Sequence, residues 1–148
     1  MKNILLLGAG RSTPSLIKYL QTHAEAEDWH LTIADQNYDW AAEKAGPHAR
    51  SRALELDIRD AEARTAAIDE AQLVVSMLPA HMHVPVAEAC IDKGIPMVTA
   101  SYISPEMQAL DEKARKKGVT VINEIGVDPG IDHLSAMQVL DRLRAAGN

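Results

Sequence analysis

The chain has no phenylalanine, and aromatic residues make up only 3% of it. Its core must therefore be assembled from Leu, Ile, Val, Ala and Met. There is one cysteine, Cys90, so no internal disulfide can form, which suits a reducing compartment. Cys90 sits in an apolar helical stretch and reads as a small buried residue. No segment reaches ~18 continuous apolar residues, and the first residues lack a signal-peptide pattern. With a strand following Lys2 directly, that reads as the start of a cytoplasmic enzyme. Basic blocks are also missing: 15 basic against 21 acidic residues leave a net charge of −6. Neither nucleic acid nor a membrane is expected as a partner. Repeats, low-complexity tracts and linkers are absent too. What remains is one globular domain of 148 residues, 47% hydrophobic and 24% charged.

Strand and helix patterns alternate along the whole chain. Strands are expected at residues 3–8, 30–35, 52–57, 73–78, 96–100 and 119–123. Helices are expected at 13–23, 38–45, 60–70, 84–93 and 105–117. Ser12 or Thr13 should cap the first helix, with Pro14 in its first turn, where a missing N–H is harmless. Gly46-Pro47, Gly94 and Gly118 read as helix stops. Six strands joined by helices predict an α/β fold, a Rossmann-like doubly wound parallel sheet in the order 3-2-1-4-5-6. A last amphipathic helix begins at Ile131. Its apolar positions, Leu134, Met137, Val139, Leu140 and Leu143, form a face too wide for one sheet edge to cover.

The first strand runs into Gly8-Ala9-Gly10-Arg11-Ser12-Thr13. A Gly-x-Gly turn between strand and helix lets bare backbone approach a dinucleotide pyrophosphate. Thr13 stands where the usual third glycine allows close helix–strand packing. The alternative is that Gly8 and Gly10 only make a tight turn. Asp35 closes the second strand, 25 residues after Gly10. A carboxylate there would accept from ribose hydroxyls and repel a 2′-phosphate, favouring NAD over NADP unless Arg11 or another cation compensates. Asp35 could instead cap the next helix. Asp57 and Ile58 end the third strand, where an adenine edge would lie, although Asp57 also suits a turn or a cap. Met77, Leu78 and Pro79 end the fourth strand, on the ribose and nicotinamide side. His81 and His83, two apart with no third ligand nearby, make a poor metal site, and none is expected.

Two longer runs carry a resemblance. Val98-Thr99-Ala100-Ser101-Tyr102-Ile103-Ser104-Pro105-Glu106-Met107 and Asn123-Glu124-Ile125-Gly126-Val127-Asp128-Pro129-Gly130-Ile131-Asp132-His133-Leu134 resemble the saccharopine dehydrogenase family, in its glutamate-forming branch. Gly8-Ala9-Gly10 and Ser76-Met77-Leu78-Pro79 match as well, so the likeness covers nearly the whole chain. The resemblance implies an oxidoreductase of lysine metabolism. Such an enzyme joins glutamate to aminoadipate semialdehyde as an imine and reduces it with NAD or NADP, or oxidises saccharopine in reverse. It also implies that Tyr102 and Asp128 assist proton movement. That chemistry is sensible, because hydride transfer across C–N needs a group that moves a proton to or from nitrogen. Tyr102 could instead be a wall residue, Asp128 a turn former, and His133 either a substrate contact or a polar first-turn residue.

Members of the family run well past 148 residues and carry a second, substrate-binding domain. Residues 1–130 are therefore expected to form the dinucleotide-binding domain, and 131–148 a helix leading toward the substrate domain. Alone, the chain should turn over poorly or not at all. A homodimer is compatible with this reading. One rival is a free-standing dinucleotide-sensing module that docks a partner through its final helix. Another is a related imine reductase of polyamine synthesis.

Overall fold

Four consecutive buried residues, Ile4 to Leu7, place the first strand at the centre of a sheet covered on both faces. The computed structural model describes residues 1–147; Asn148, the last residue of the expected final segment, lies outside the described residues. In chain order the elements are β1 (Lys2–Leu7), α1 (Pro14–His23), β2 (Trp29–Asp35), α2 (Tyr38–Ala45), β3 (Ser51–Glu55), α3 (Ala61–Asp69) and β4 (Leu73–Ser76). A short 3₁₀ turn (Ala80–Met82) leads into α4 (His83–Lys93), β5 (Met97–Thr99), α5 (Pro105–Gln108), α6 (Asp111–Lys117), β6 (Val121–Ile122) and α7 (Ile131–Ala145).

The six strands are parallel and ordered β3-β2-β1-β4-β5-β6, as the alternating pattern predicts. One face of the sheet carries Leu5, Leu7 and Val74 against Ile68, Val86 and Cys90; the other carries Ile4, Leu6 and Ile33 against Ile17, Leu20 and Ala41. Strand order reverses between β1 and β4, which opens a crevice at their carboxyl ends. Register aligns those ends: Leu7 pairs with both Ala34 and Ser76, and Ser76 with Thr99.

Three local expectations are corrected. Thr13 does occupy the N-cap position of α1, but its side chain caps no amide of the helix. Thr13 is already helical (φ −94°, ψ −16°), so its hydroxyl turns back and donates to Gly10 O at 2.8 Å. The helix expected over 105–117 is two helices, because Leu110 N–H bonds three residues back to Met107 O and interrupts the four-residue ladder. The last strand is only two residues long, since Val119 N–H closes onto Ala114 O behind α6 before sheet pairing begins. Helix α7 buries none of its residues; Leu134 is 72% exposed and Leu143 48%.

Candidate functional site

The two glycines of the first turn are glycine for different reasons. Gly8 has φ +97°, and a Cβ there would stand 3.0 Å from the Met77 carbonyl oxygen. Packing between β1 and β4 therefore demands it. Gly10 needs no positive φ, and a Cβ built on it would meet nothing within 4 Å. The chain's own packing does not require glycine there; the open space beside it does not need filling by protein. Among the described residues, the amides of Gly10, Arg11 and Ser12 have no acceptor within the chain. They lead into α1, which has no acidic residue in its first turn. The positive end of the helix dipole and the free N–H groups together favour an anion. Ala9 and Thr13 lie behind the turn, at 3% and 0% exposure.

A cavity lies on each side of this turn. The smaller, about 290 Å³, is lined by Gly8, Gly10, Asp35, Trp40, Asp57 and Ile58, and is closed by Met77, Leu78 and Pro79. The larger, about 990 Å³, takes in Ser12, Leu16, Met77, Thr99, Asp128 and His133. Met77 lines both, so the two cavities share it as a common wall beside the glycine turn. Arg11 is exposed and lines neither.

Asp35 has partners that local sequence does not show. Its Oδ2 accepts from Ala9 N–H at 2.8 Å and its Oδ1 from Asn37 N–H at 2.9 Å. The carboxylate thus ties the glycine turn to the start of α2. A carboxylate offers about four acceptor positions, so it retains some for a ligand. Asn37, not Asp35, caps α2, accepting from the amides of Asp39 and Trp40. Asp57 holds Arg59 through two parallel bonds, Nε to Oδ1 at 2.9 Å and Nη2 to Oδ2 at 2.7 Å. The guanidinium lowers the Asp57 carboxyl to about 2. The cap of α3 is Asp60.

Beneath the larger cavity is a buried polar network. His83, 3% exposed, places Nδ1 2.9 Å from Ser76 Oγ and Nε2 2.7 Å from Ser101 Oγ, with Thr99 Oγ1 at 3.3 Å. Burial holds the imidazole pKa below its ordinary value, so at neutral pH one ring nitrogen donates and the other accepts. The sequence offered His81 and His83 only as a weak metal pair. A better signal was the set of hydroxyls at the ends of two adjacent strands. Among the described residues no group of three His, Cys, Asp or Glu could hold a metal ion.

Two loops meet at the mouth of the larger cavity. Glu124 N–H donates to Ser101 O at 3.1 Å, and Glu124 Oε1 accepts from Ile103 N–H at 3.0 Å. Across this junction the Tyr102 hydroxyl donates to Asp128 Oδ1. That bond, aided by burial and by the charges of Asp128, Asp132 and Glu124, pushes the phenol pKa above its ordinary value. Gly130 shapes the loop: at φ +144°, a Cβ would stand 2.2 Å from Gly126 O. His133 Nδ1 lies 2.9 Å from Asp132 Oδ1.

Comparison with known proteins gives this geometry relatives. The family model described as the saccharopine dehydrogenase NADP binding domain matches residues 4–122. The saccharopine dehydrogenase [NADP(+), L-glutamate-forming] of Saccharomyces cerevisiae is 38% identical over 146 residues, 99% of this chain and 32% of that protein. The mitochondrial alpha-aminoadipic semialdehyde synthase of Mus musculus is 34% identical over 147 residues, 99% of this chain and 15% of that protein. The solved apo structure of the Saccharomyces cerevisiae L-Glu-forming saccharopine dehydrogenase superposes with a TM-score of 0.88 at 36% identity, over 99% of this chain and 32% of that one. The chain thus spans about a third or less of the length of these relatives. Among the described residues, no helix is long and apolar enough to cross a membrane.

Proposed function

The chain belongs to the saccharopine dehydrogenase family, as an NADP-binding domain, and we propose that it is the nicotinamide-dinucleotide-binding part of an oxidoreductase acting on the C–N bond of saccharopine. One observation carries the reading: two cavities of unequal size share Met77 as a wall, beside a turn with free amides and an open Gly10. That shape suits two nucleosides joined by a pyrophosphate. The amides of Gly10, Arg11 and Ser12 would hold the phosphates, and the free acceptor positions of Asp35 a ribose. Met77 would separate the two halves.

When bound, the nicotinamide supplies or takes up a hydride. Adding hydride to an imine carbon leaves the nitrogen in need of one proton, and the reverse oxidation releases one. Tyr102 and Asp128 are the groups we assign to that proton. The phenol keeps its hydrogen to high pH and shares it with a carboxylate that lines the larger cavity. His83 holds Ser76, Thr99 and Ser101 in place beneath them.

NADP is the cofactor named for the Saccharomyces cerevisiae relative and for the matching family model, and we extend it to this chain. The preference for NAD expected from Asp35 is not supported, because the matching family model and the Saccharomyces cerevisiae relative are both described by NADP. Arg59, held on Asp57 of the smaller cavity's lining, is the cation we assign to a 2′-phosphate. A reducing compartment such as the cytoplasm fits the free, buried Cys90.

The test is calorimetry of NADP and NAD against the purified chain, beside a turnover assay with saccharopine. Dinucleotide binding with little or no turnover is expected, since the relatives are about three times as long or longer. Failure of both dinucleotides to bind would overturn the reading.

A further inference from the structure

The chain has two tryptophans and uses them differently. Trp29 belongs to the core, and its indole N–H donates to Leu20 O at 2.8 Å. Trp40 is 53% exposed, and its indole N–H has no partner among the described residues. Its backbone is nevertheless held, because Asn37 Oδ1 accepts from Trp40 N–H at 3.3 Å as part of the α2 cap. A large, rigid aromatic on a fixed helix start is a poor residue to leave in water. This one stands in the wall of the smaller cavity. Apolar walls face it: Leu56 at 7% and Ile58 at 8% exposure, with Leu78 and Pro79. Polar side chains, the carboxylates of Asp35 and Asp57 and the amide of Gln36, also line it. Flat apolar walls with acceptors at the rim suit a heteroaromatic base that carries an amino group.

We propose that Trp40 is the stacking wall for the adenine ring of the bound dinucleotide and sets the chain's affinity for that half of the cofactor. The inference rests on the dinucleotide reading above and adds the residue that grips the base. Stacking on an aromatic side chain is strong and needs no hydrogen bonds from the ring. It also accounts for the exposure of Trp40, since the partner that covers it is the ligand.

The experiment titrates the chain with NADP, with ADP and with nicotinamide mononucleotide, following calorimetry and tryptophan fluorescence. Trp40→Ala should weaken ADP and NADP by about tenfold or more, the usual effect of removing a stacking aromatic. Nicotinamide mononucleotide, which lacks adenine, should bind the variant as it binds the parent. Trp40→Phe should recover most of the ADP affinity. In a Trp29→Phe chain, where Trp40 is the only tryptophan, saturation with ADP should quench the fluorescence. ADP and NADP affinities within twofold of the parent in Trp40→Ala would overturn the proposal. So would unchanged emission from the Trp29→Phe chain at calorimetric saturation. If the parent chain binds no dinucleotide at all, the dinucleotide reading fails and this proposal falls with it.

Discussion

Replacing His83 with leucine removes the hub of the polar network while keeping a side chain of similar bulk. Three hydroxyls lose a partner, and they lose it unequally. Ser76 is 0% exposed and has His83 as its side-chain partner, so its hydroxyl would be stranded. Thr99, at 1% exposure, still receives Ser101 N–H at 3.3 Å. Ser101 is half-buried and can turn to water. One stranded buried hydroxyl costs about 1–3 kcal/mol. For a chain of this size, about 2 kcal/mol corresponds to roughly 4–8 °C in Tm. Removing the stranded group as well, by Ser76→Ala in the same chain, should return about 1–2 kcal/mol as coupling in a double-mutant cycle.

The network also has a pH signature. The imidazole pKa lies below its ordinary value near 6.5 in the folded chain. As pH falls below that value, the unfolded chain takes up a proton that the folded chain resists. The stability contribution is therefore full above about pH 6.5 and is lost downward, through the folded pKa. His30 is shifted the same way by burial, Arg52 and Arg50, so the quantity to read is the parent-minus-variant difference. Urea denaturation between about pH 5 and 8 supplies both measurements. If His83→Leu and Ser76→Ala add independently to within ~0.5 kcal/mol, or if the acid slope is identical in parent and His83→Leu, the reasoning is refuted.

Gly10→Ala should leave unfolding within about 0.5 kcal/mol of the parent yet weaken dinucleotide binding, because its Cβ meets only open space. Gly8→Ala, with a left-handed φ and the Met77 carbonyl at 3.0 Å, should cost more than about 1 kcal/mol by denaturation; equal stability of the two variants would contradict this reading. Burial pushes the Cys90 thiol up to about 12, so a thiol reagent at neutral pH should label the chain only once denaturant unfolds it, and rapid labelling of the native chain would show the helix packing to be wrong. The raised phenol pKa of Tyr102 predicts a tyrosinate absorbance step above the ordinary pH of about 10. That step should be missing from Tyr102→Phe and should move down in Asp128→Asn.

Much of the architecture was legible because its signals are local or follow chain-wide rules. The buried run of β1, the glycine turn and the alternation of elements are each carried by neighbouring residues. Right-handed crossovers then leave few strand orders to choose from. The break within 105–117 was not legible, because it contains neither glycine nor proline and rests on one three-residue hydrogen bond at Leu110. Trp40 gave no sign of its position, because an eight-residue helix with mixed residues does not declare which side faces a cavity. The bond from Ala9 to Asp35 spans 26 positions and required β1 and β2 to pair first.

By itself, the amino-acid order determined which segments become strands and helices, where the chain must turn at Gly8, and which family it resembles, since these depend on residue type and short-range spacing. Only the folded sheet decided which groups meet: Asp35 with Ala9, His83 with Ser76 and Ser101, Tyr102 with Asp128, and two hollows at Met77. The reason is register. Parallel pairing of Leu7 with Ala34 and Ser76, and of Ser76 with Thr99, brings side chains from distant positions to one edge, and no local pattern encodes an alignment that exists only once the strands are side by side.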